Sequence, residues 1–260
     1  MARLTQTRAL SDDQILEMMD LLKGVDSVEL KLTVPESQTR STVDSLGMDP
    51  LDAEIRQVVF YDTPDLALNK NGLVLRARRV HGGKGDSVVK LRPVVPDTLA
   101  PQLRSSPSVG VEVDAMPGGF VCSASMKGRL TNKQVWESVR GERATNDLFT
   151  KEQKAFYKEH APAGLRMSDL TVLGPITLLK LKFVHKDFDR SMVAEMWMYP
   201  NGSRLLELST KCRPSETFQV AAEARAFLVK QGVDISGEQQ TKTKAALRYF
   251  SSALKGSGAA

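Results

Sequence analysis

The chain has 260 residues, 41% hydrophobic and 26% charged, with 36 Lys and Arg against 31 Asp and Glu for a net charge of +5. These proportions are those of a folded globular chain and exclude wholesale disorder, a collagen-like repeat and a coiled-coil rod. No run approaches the roughly 18 apolar residues of a membrane helix. Met1-Ala2-Arg3-Leu4-Thr5 has no apolar core behind its charge, so no secretory leader is expected. Cys122 and Cys212 are too few for a disulfide scaffold or a four-thiolate zinc site. The expected compartment is the cytoplasm, with no membrane, and the excess of base points to an anionic partner.

The first predicted element is a helix from Ser11 to Lys23. Ser11 is its N-cap, Asp12 and Asp13 favour the positive end of its dipole, and Gly24 stops it. Eight segments with period-two alternation then read as strands: Asp26–Val34, Ile55–Asp62, Gly72–Arg79, Ser87–Arg92, Val109–Asp114, Leu178–Lys186, Ser191–Met198 and Ser203–Lys211. Asn201-Gly202 marks the last turn as a hairpin. Val94 to Ser108, with Pro96, Pro101 and Pro107, reads as an extended, exposed loop. Thr131 to about His160 reads as helical, divided near Gly141 and Asn146. A further helix spans Ser215 to Gln231, packing through Phe218, Ala221, Ala222 and Leu228. The last runs from about Thr241 to Leu254.

The charges carry the functional signal. Glu29/Lys31, Arg76/Arg78, Lys90/Arg92, Glu112/Asp114 and Lys180/Lys182 each sit two apart around an apolar residue, and Glu207 and Lys211 lie in the same phase. Alternate strand residues share a face, so one face of the sheet is charged and the other apolar. A solvated outer face is the ordinary explanation. Against it, like charges repeat about 7 Å apart within single strands, where a face shaped only by solubility mixes its signs. Arginine suits planar oxyanions. Acids beside a basic lining suit a divalent cation held against phosphates. Eight antiparallel strands can close into a barrel, and inward charges would then make a basic tunnel for a compact polyanion. His81, His160 and His185 have no metal spacing, and Gly82-Gly83-Lys84-Gly85 lacks the spacing of a phosphate loop.

In these residues the chain resembles the CYTH family, the triphosphate tunnel metalloenzymes, from about Val25 to Phe250. Ser27-Val28-Glu29-Leu30-Lys31 is similar to the ExExK signature, Phe60-Tyr61-Asp62-Thr63 to the FDT turn, and Gly72-Leu73-Val74-Leu75-Arg76-Ala77-Arg78 to the GxxLRxR strand. Lys90-Leu91-Arg92, Glu112-Val113-Asp114, Lys180-Leu181-Lys182 and Glu207-Leu208 stand where later strands are expected. The resemblance implies an α+β fold: a closed eight-stranded antiparallel β-barrel with a charged lumen, flanked by helices. Residues 1–24 would form an N-terminal helix and 25–254 the tunnel domain, with a helical insert at 131–170 and C-terminal helices at 215–254. Residues 255–260 would be a flexible tail.

It also implies a triphosphatase acting on tripolyphosphate, ATP or another triphosphate with Mg²⁺ or Mn²⁺, as a monomer or homodimer. Lys31, Arg76, Arg78, Lys90, Arg92, Lys180, Lys182 and Lys211 would grip phosphates, and Lys244, in preference to Lys242, would close the tunnel. Glu29 and Glu207 would hold metal. Catalysis would rest on Glu29, Lys31, Glu112 and Asp114, with Glu112 or Asp114 orienting water. Two departures stand out: Ser27 replaces the signature's first glutamate, and Ser209 replaces the second acid of the late strand. A hydroxyl substitutes poorly for a carboxylate at Mg²⁺. They motivate an alternative, a phosphate-binding protein without catalysis. Adenylate cyclase activity is a further alternative. Nucleic-acid binding ranks low, because the basic residues lie in strand pairs rather than in an exposed stretch with aromatics.

Overall fold

A computed structural model describes residues 10–239 and 241–257. Helix α1 (Asp12–Leu22) starts as its sequence dictates. The Ser11 hydroxyl accepts from the Gln14 amide, and the Gln14 side chain accepts in return from the Ser11 amide. Strands β1 (Ser27–Val34) and β2 (Glu54–Asp62) follow, separated by helix α2 (Thr39–Ser45). Helix α3 (Ala67–Lys70) leads to β3 (Leu73–Val80) and β4 (Gly85–Leu91). The buried carboxylate of Asp62 ties this turn together by accepting from the amides of Thr63, Leu68 and Asn69. Gly72 has a structural reason. Its φ is +75°, and a Cβ there would sit 2.5 Å from the Arg92 carbonyl oxygen. That close approach locks the start of β3 to the end of β4.

The segment expected to be an exposed loop is partly packed. Helix α4 (Pro101–Arg104) lies within it, Val94 and Pro96 are buried, and Arg104 bonds back to Gly24 and Asp26. Strand β5 (Val109–Met116) then turns into β6 (Gly119–Leu130). After the short helices α5 (Asn132–Val139) and α6 (Lys151–His160) come β7 (Thr171–His185), β8 (Phe188–Met198) and β9 (Arg204–Cys212). Gly141, at φ +73°, lies just past α5, between the two helices. Helices α7 (Thr217–Lys230) and α8 (Lys242–Ser257) end the described chain. Of the tail expected to be flexible, 255–257 continue α8, and 258–260 lie outside the described residues, as do 1–9.

The sheet closes as β1-β5-β6-β4-β3-β2-β7-β8-β9. The barrel therefore has nine strands, not the eight expected, and is mixed rather than antiparallel. The extra strand is β6, which pairs with β5 on one side and β4 on the other. The two corrections are one. Alternating directions around a ring need an even number of strands, so a ninth forces a parallel neighbour pair, which is β1 with β5. Strand β7 also begins at Thr171 rather than Leu178. Gly174-Pro175 falls where its register with β2 shifts, the kind of irregularity that admits proline inside a strand.

The outer face of the barrel is apolar and covered by helices. Val59, Tyr61, Leu75 and Val89 pack with Val135, Phe149 and Phe156 of the insert. Leu32, Leu206 and Leu208 pack with Ala224, Phe227 and Leu228 of α7. The buried face of α7 is thus Val220, Ala224, Phe227 and Leu228. Phe218 and Ala222, expected in it, are exposed, while Leu228 is buried as expected. Helix α8 behaves differently. Its Ala246 and Leu247 are buried against Val58, Phe60, Ile176, Leu178, Trp197 and Leu205. By alternation these lie in phase with Arg56, Lys180, Glu195 and Glu207, the inward face. Helix α8 therefore stoppers one end of the barrel with an apolar plug.

Candidate functional site

Above this stopper lies a cavity of about 540 Å³, floored by Phe60, Val74 and Trp197. Ten basic and seven acidic side chains line it, so the lumen carries an excess of cation even with every internal ion pair formed. The charged faces point inward, as expected. Glu29, Lys31, Arg76, Arg78, Lys90, Arg92, Glu112, Asp114, Lys180, Glu207 and Lys211 all reach the cavity.

Two expected residues do not reach it. Lys182 is exposed, because β2 ends opposite Lys180 at Glu54 and Lys182 projects past that wall. Lys244 is also exposed, and Lys242 enters the lumen in its place. At 100° per residue, Lys242 and Lys244 flank the apolar stripe of α8 on opposite sides, so only one can face inward. The cavity also contains Arg56, Asp86, Lys127 and Glu195. Arg56 was detectable, since it shares the phase of Phe60 in an expected strand. Lys127 lies in β6 and was hidden with it.

Three cations converge on Asp114, which is fully buried. Lys31 lies 2.7 Å and Lys90 3.4 Å away, and Arg92 pairs with the same carboxylate. Burial pushes its pKa up, but Lys90, Lys31 and Arg92 outweigh this and hold Asp114 well below the usual carboxylate range. Lys31 also lies 3.1 Å from Glu29. Burial lowers its pKa, yet Asp114 and Glu29 more than reverse this, so Lys31 is held firmly charged. Lys90 behaves oppositely. Burial dominates, Arg92 adds to it, and its pKa falls to about 8.

Elsewhere in the lumen, Lys211 pairs with Glu112, which also accepts from the Ser27 hydroxyl at 3.1 Å. Arg78 pairs with Asp86. Glu195 and Glu207 face each other across β8 and β9, with Lys242 bonded to both. Arg76 stands apart. Among the described residues no carboxylate pairs with it, and its Nε has no hydrogen-bond partner. Burial, with Arg78 adding, lowers its pKa.

Among the described residues, the acids grouped closely enough to hold a metal are Glu29, Glu112 and Asp114, each offering an oxygen within 4.8 Å of the others. Three carboxylates suit a hard divalent cation. All three already engage lysine or arginine. Glu207, expected to join Glu29, belongs instead to the pair bridged by Lys242. Ser209 is buried opposite Lys31 in the β1–β9 register and does not line the cavity.

No protein-family model matches the chain, and no curated protein matches it in sequence. Solved structures do match. A candidate adenylyl cyclase from Hippeastrum, whose dominant activity is triphosphatase, superposes with a TM-score of 0.63 at 16% identity, covering 85% of this chain and 94% of its own. A candidate adenylate cyclase from Bacillus halodurans superposes at 0.59 and 12% identity, covering 85% and 97%. The chain shares its fold with both. No helix among the described residues is long and apolar enough to cross a membrane.

Proposed function

We propose that the barrel is a triphosphate tunnel of the CYTH type that grips a triphosphate chain and hydrolyses it. The observation that carries this reading is the set of cations inside a lumen stoppered at one end, with no carboxylate paired to Arg76 among the described residues. A partly buried guanidinium with no carboxylate in pairing distance is costly, and a phosphate oxyanion is the partner its planar fork fits. The triphosphatase activity of the Hippeastrum protein supports the same reading. Arg76, Arg78, Lys90, Arg92 and Lys180 would neutralise the chain, with Lys31 and Lys211 at its flanks.

Hydrolysis requires a water in line with the terminal phosphorus and charge stabilisation around it. Of the two acids offered for orienting that water, Glu112 is the better, because three cations crowd the Asp114 carboxylate while one, Lys211, meets Glu112. Mg²⁺ or Mn²⁺ on Glu29, Glu112 and Asp114 would supply Lewis-acid stabilisation of phosphate oxygens. The test is phosphate release from tripolyphosphate and from ATP, with each ion supplied, in wild type and Arg76→Ala. Wild-type release that falls on the order of 100-fold in the variant supports the reading, since a charge-assisted contact contributes about 1.5–3 kcal/mol. Ser27 and Ser209 favour a second reading, binding without turnover. Tight calorimetric binding of tripolyphosphate with no release would select it. Cyclic AMP formed from ATP would instead select a cyclase.

A further inference from the structure

Glu195 and Glu207 occupy directly opposed positions on β8 and β9. Like charges so placed repel, and with Glu207 only 3% exposed, water screens the pair little. The lumen answers with one ammonium. Lys242 Nζ lies 2.7 Å from Glu207 Oε1 and bonds Glu195 Oε2, while Lys180 stands farther off, 3.8 Å from Glu195. Lys242 arrives from outside the sheet, on the first turn of α8. Ala246 and Leu247 of the same helix are buried in the barrel end. The ammonium is therefore held at the pair by a tether with its own apolar anchor, and its effective concentration there is high. Carboxylate oxygens from two facing strands are also what a hard divalent ion takes.

We propose that Lys242 is a tethered cation. Delivered by the docked α8, it fills the place between Glu195 and Glu207 that a divalent ion would otherwise take, so helix docking and ion binding at this pair exclude each other. Among the described residues this leaves Glu29, Glu112 and Asp114 as the acidic group for a divalent ion. The inference concerns cations alone and does not rest on what anion the tunnel accepts.

The structure contains its own reporter. The Trp197 indole donates to Glu195 at 3.4 Å, and its ring centre lies 5.7 Å from Lys242 Nζ. Trp136 lies outside the lumen beneath Arg79. Tryptophan-sensitised terbium luminescence therefore reads ions in the lumen, and Glu207→Gln separates those held at this pair from the rest. The titration compares the full chain, Lys242→Met, and Lys242→Met combined with Glu207→Gln. Lys242→Met should bind terbium on the order of tenfold more tightly at the tryptophan-sensitised site, a modest loss of competition on the usual coupling scale. The double variant should lose the gain, and Mn²⁺ should quench it. Equal titrations of wild type and Lys242→Met would overturn the proposal, as would a gain indifferent to Glu207→Gln. If Lys242→Met does not fold, hydrogen exchange on the wild-type chain decides. Saturating Mn²⁺ that appears at Trp197 by quenching while α8 keeps its protection overturns mutual exclusion. No Mn²⁺ at Trp197, or Mn²⁺ there together with lost α8 protection, sustains it.

Discussion

Around Asp114, one carboxylate meets Lys31, Lys90 and Arg92. Around Lys242, one ammonium meets Glu195 and Glu207. The two clusters share one lumen and leave opposite imbalances. The first has spare positive charge and gains from an arriving anion. The second has its cation supplied by the chain itself, at the tip of a helix that also closes the barrel. Buried ion pairs rarely stabilise a fold against an apolar alternative, because desolvation opposes the Coulomb attraction. Both clusters therefore read as arrangements kept for function: the first leaves cations spare for an arriving anion, and the second is closed by the chain's own ammonium.

The largest expected effect comes from removing the acid at the first cluster. Asp114→Asn keeps the shape and leaves three partly buried cations without their shared carboxylate, so the protein should lose stability, by up to about 3–5 kcal/mol. Tripolyphosphate should recover more of the melting temperature in this variant than in wild type. A melt that tripolyphosphate fails to raise would break the comparison, because spare cations would then not be awaiting an anion. Next in size is Arg76→Ala. It removes no ion pair within the described residues, so stability should change little, while tripolyphosphate affinity should fall by about 10- to 100-fold, the range of a charge-assisted contact. Calorimetry separates the two effects. An equal loss in Lys180→Ala, whose ammonium is shared with Glu195, would show that the missing counter-ion does not matter.

Much of this site was legible as charges repeating at i and i+2. That phase is physical, because a strand offers only two faces, and eleven of the proposed residues do share the lumen. Strand β6 was not legible. Gly119, Ser123, Ala124, Ser125 and Gly128 blur the contrast between its faces, and its conformation is imposed by β4 and β5 on either side rather than by its own side chains. With β6 went Lys127, and with the strand count went the parallel β1–β5 pair. The choice between Lys242 and Lys244 was illegible for another reason. Both flank the same stripe of α8, and only docking in the barrel end decides which flank meets the cavity. Lys182 kept the right phase but lay beyond the end of the neighbouring strand, a length that alternation does not encode.

Lys90 gives a smaller effect with a defined sign. Its pKa falls from 10.5 to about 8 in the folded chain, chiefly through burial. Between about 8 and 10.5 the unfolded chain holds the extra proton, so this group makes stability rise with pH across that window. Anion binding needs the charged form and should run the other way. Tripolyphosphate affinity should decline as pH passes 8, by about tenfold at most per pH unit for one proton, and binding near pH 8 should take up a proton. Calorimetry in buffers of different ionisation enthalpy reads that uptake, and Lys90→Met should abolish it. Uptake that survives the substitution would assign the proton to another group.

The smallest expected effect is the sharpest geometric test. Lys182→Ala and Lys244→Ala remove cations that match the lumen pattern in sequence but stand exposed outside the cavity. Exposed charges act on a bound anion only through screened solvent, over a Debye length of about 8 Å at physiological salt. Each substitution should therefore change tripolyphosphate affinity by less than about threefold, with the difference fading as salt is raised. A loss as large as that of Arg76→Ala would mean that the bound chain extends past the mouth of the barrel. The imbalance around Asp114 would then account for only part of what the tunnel holds.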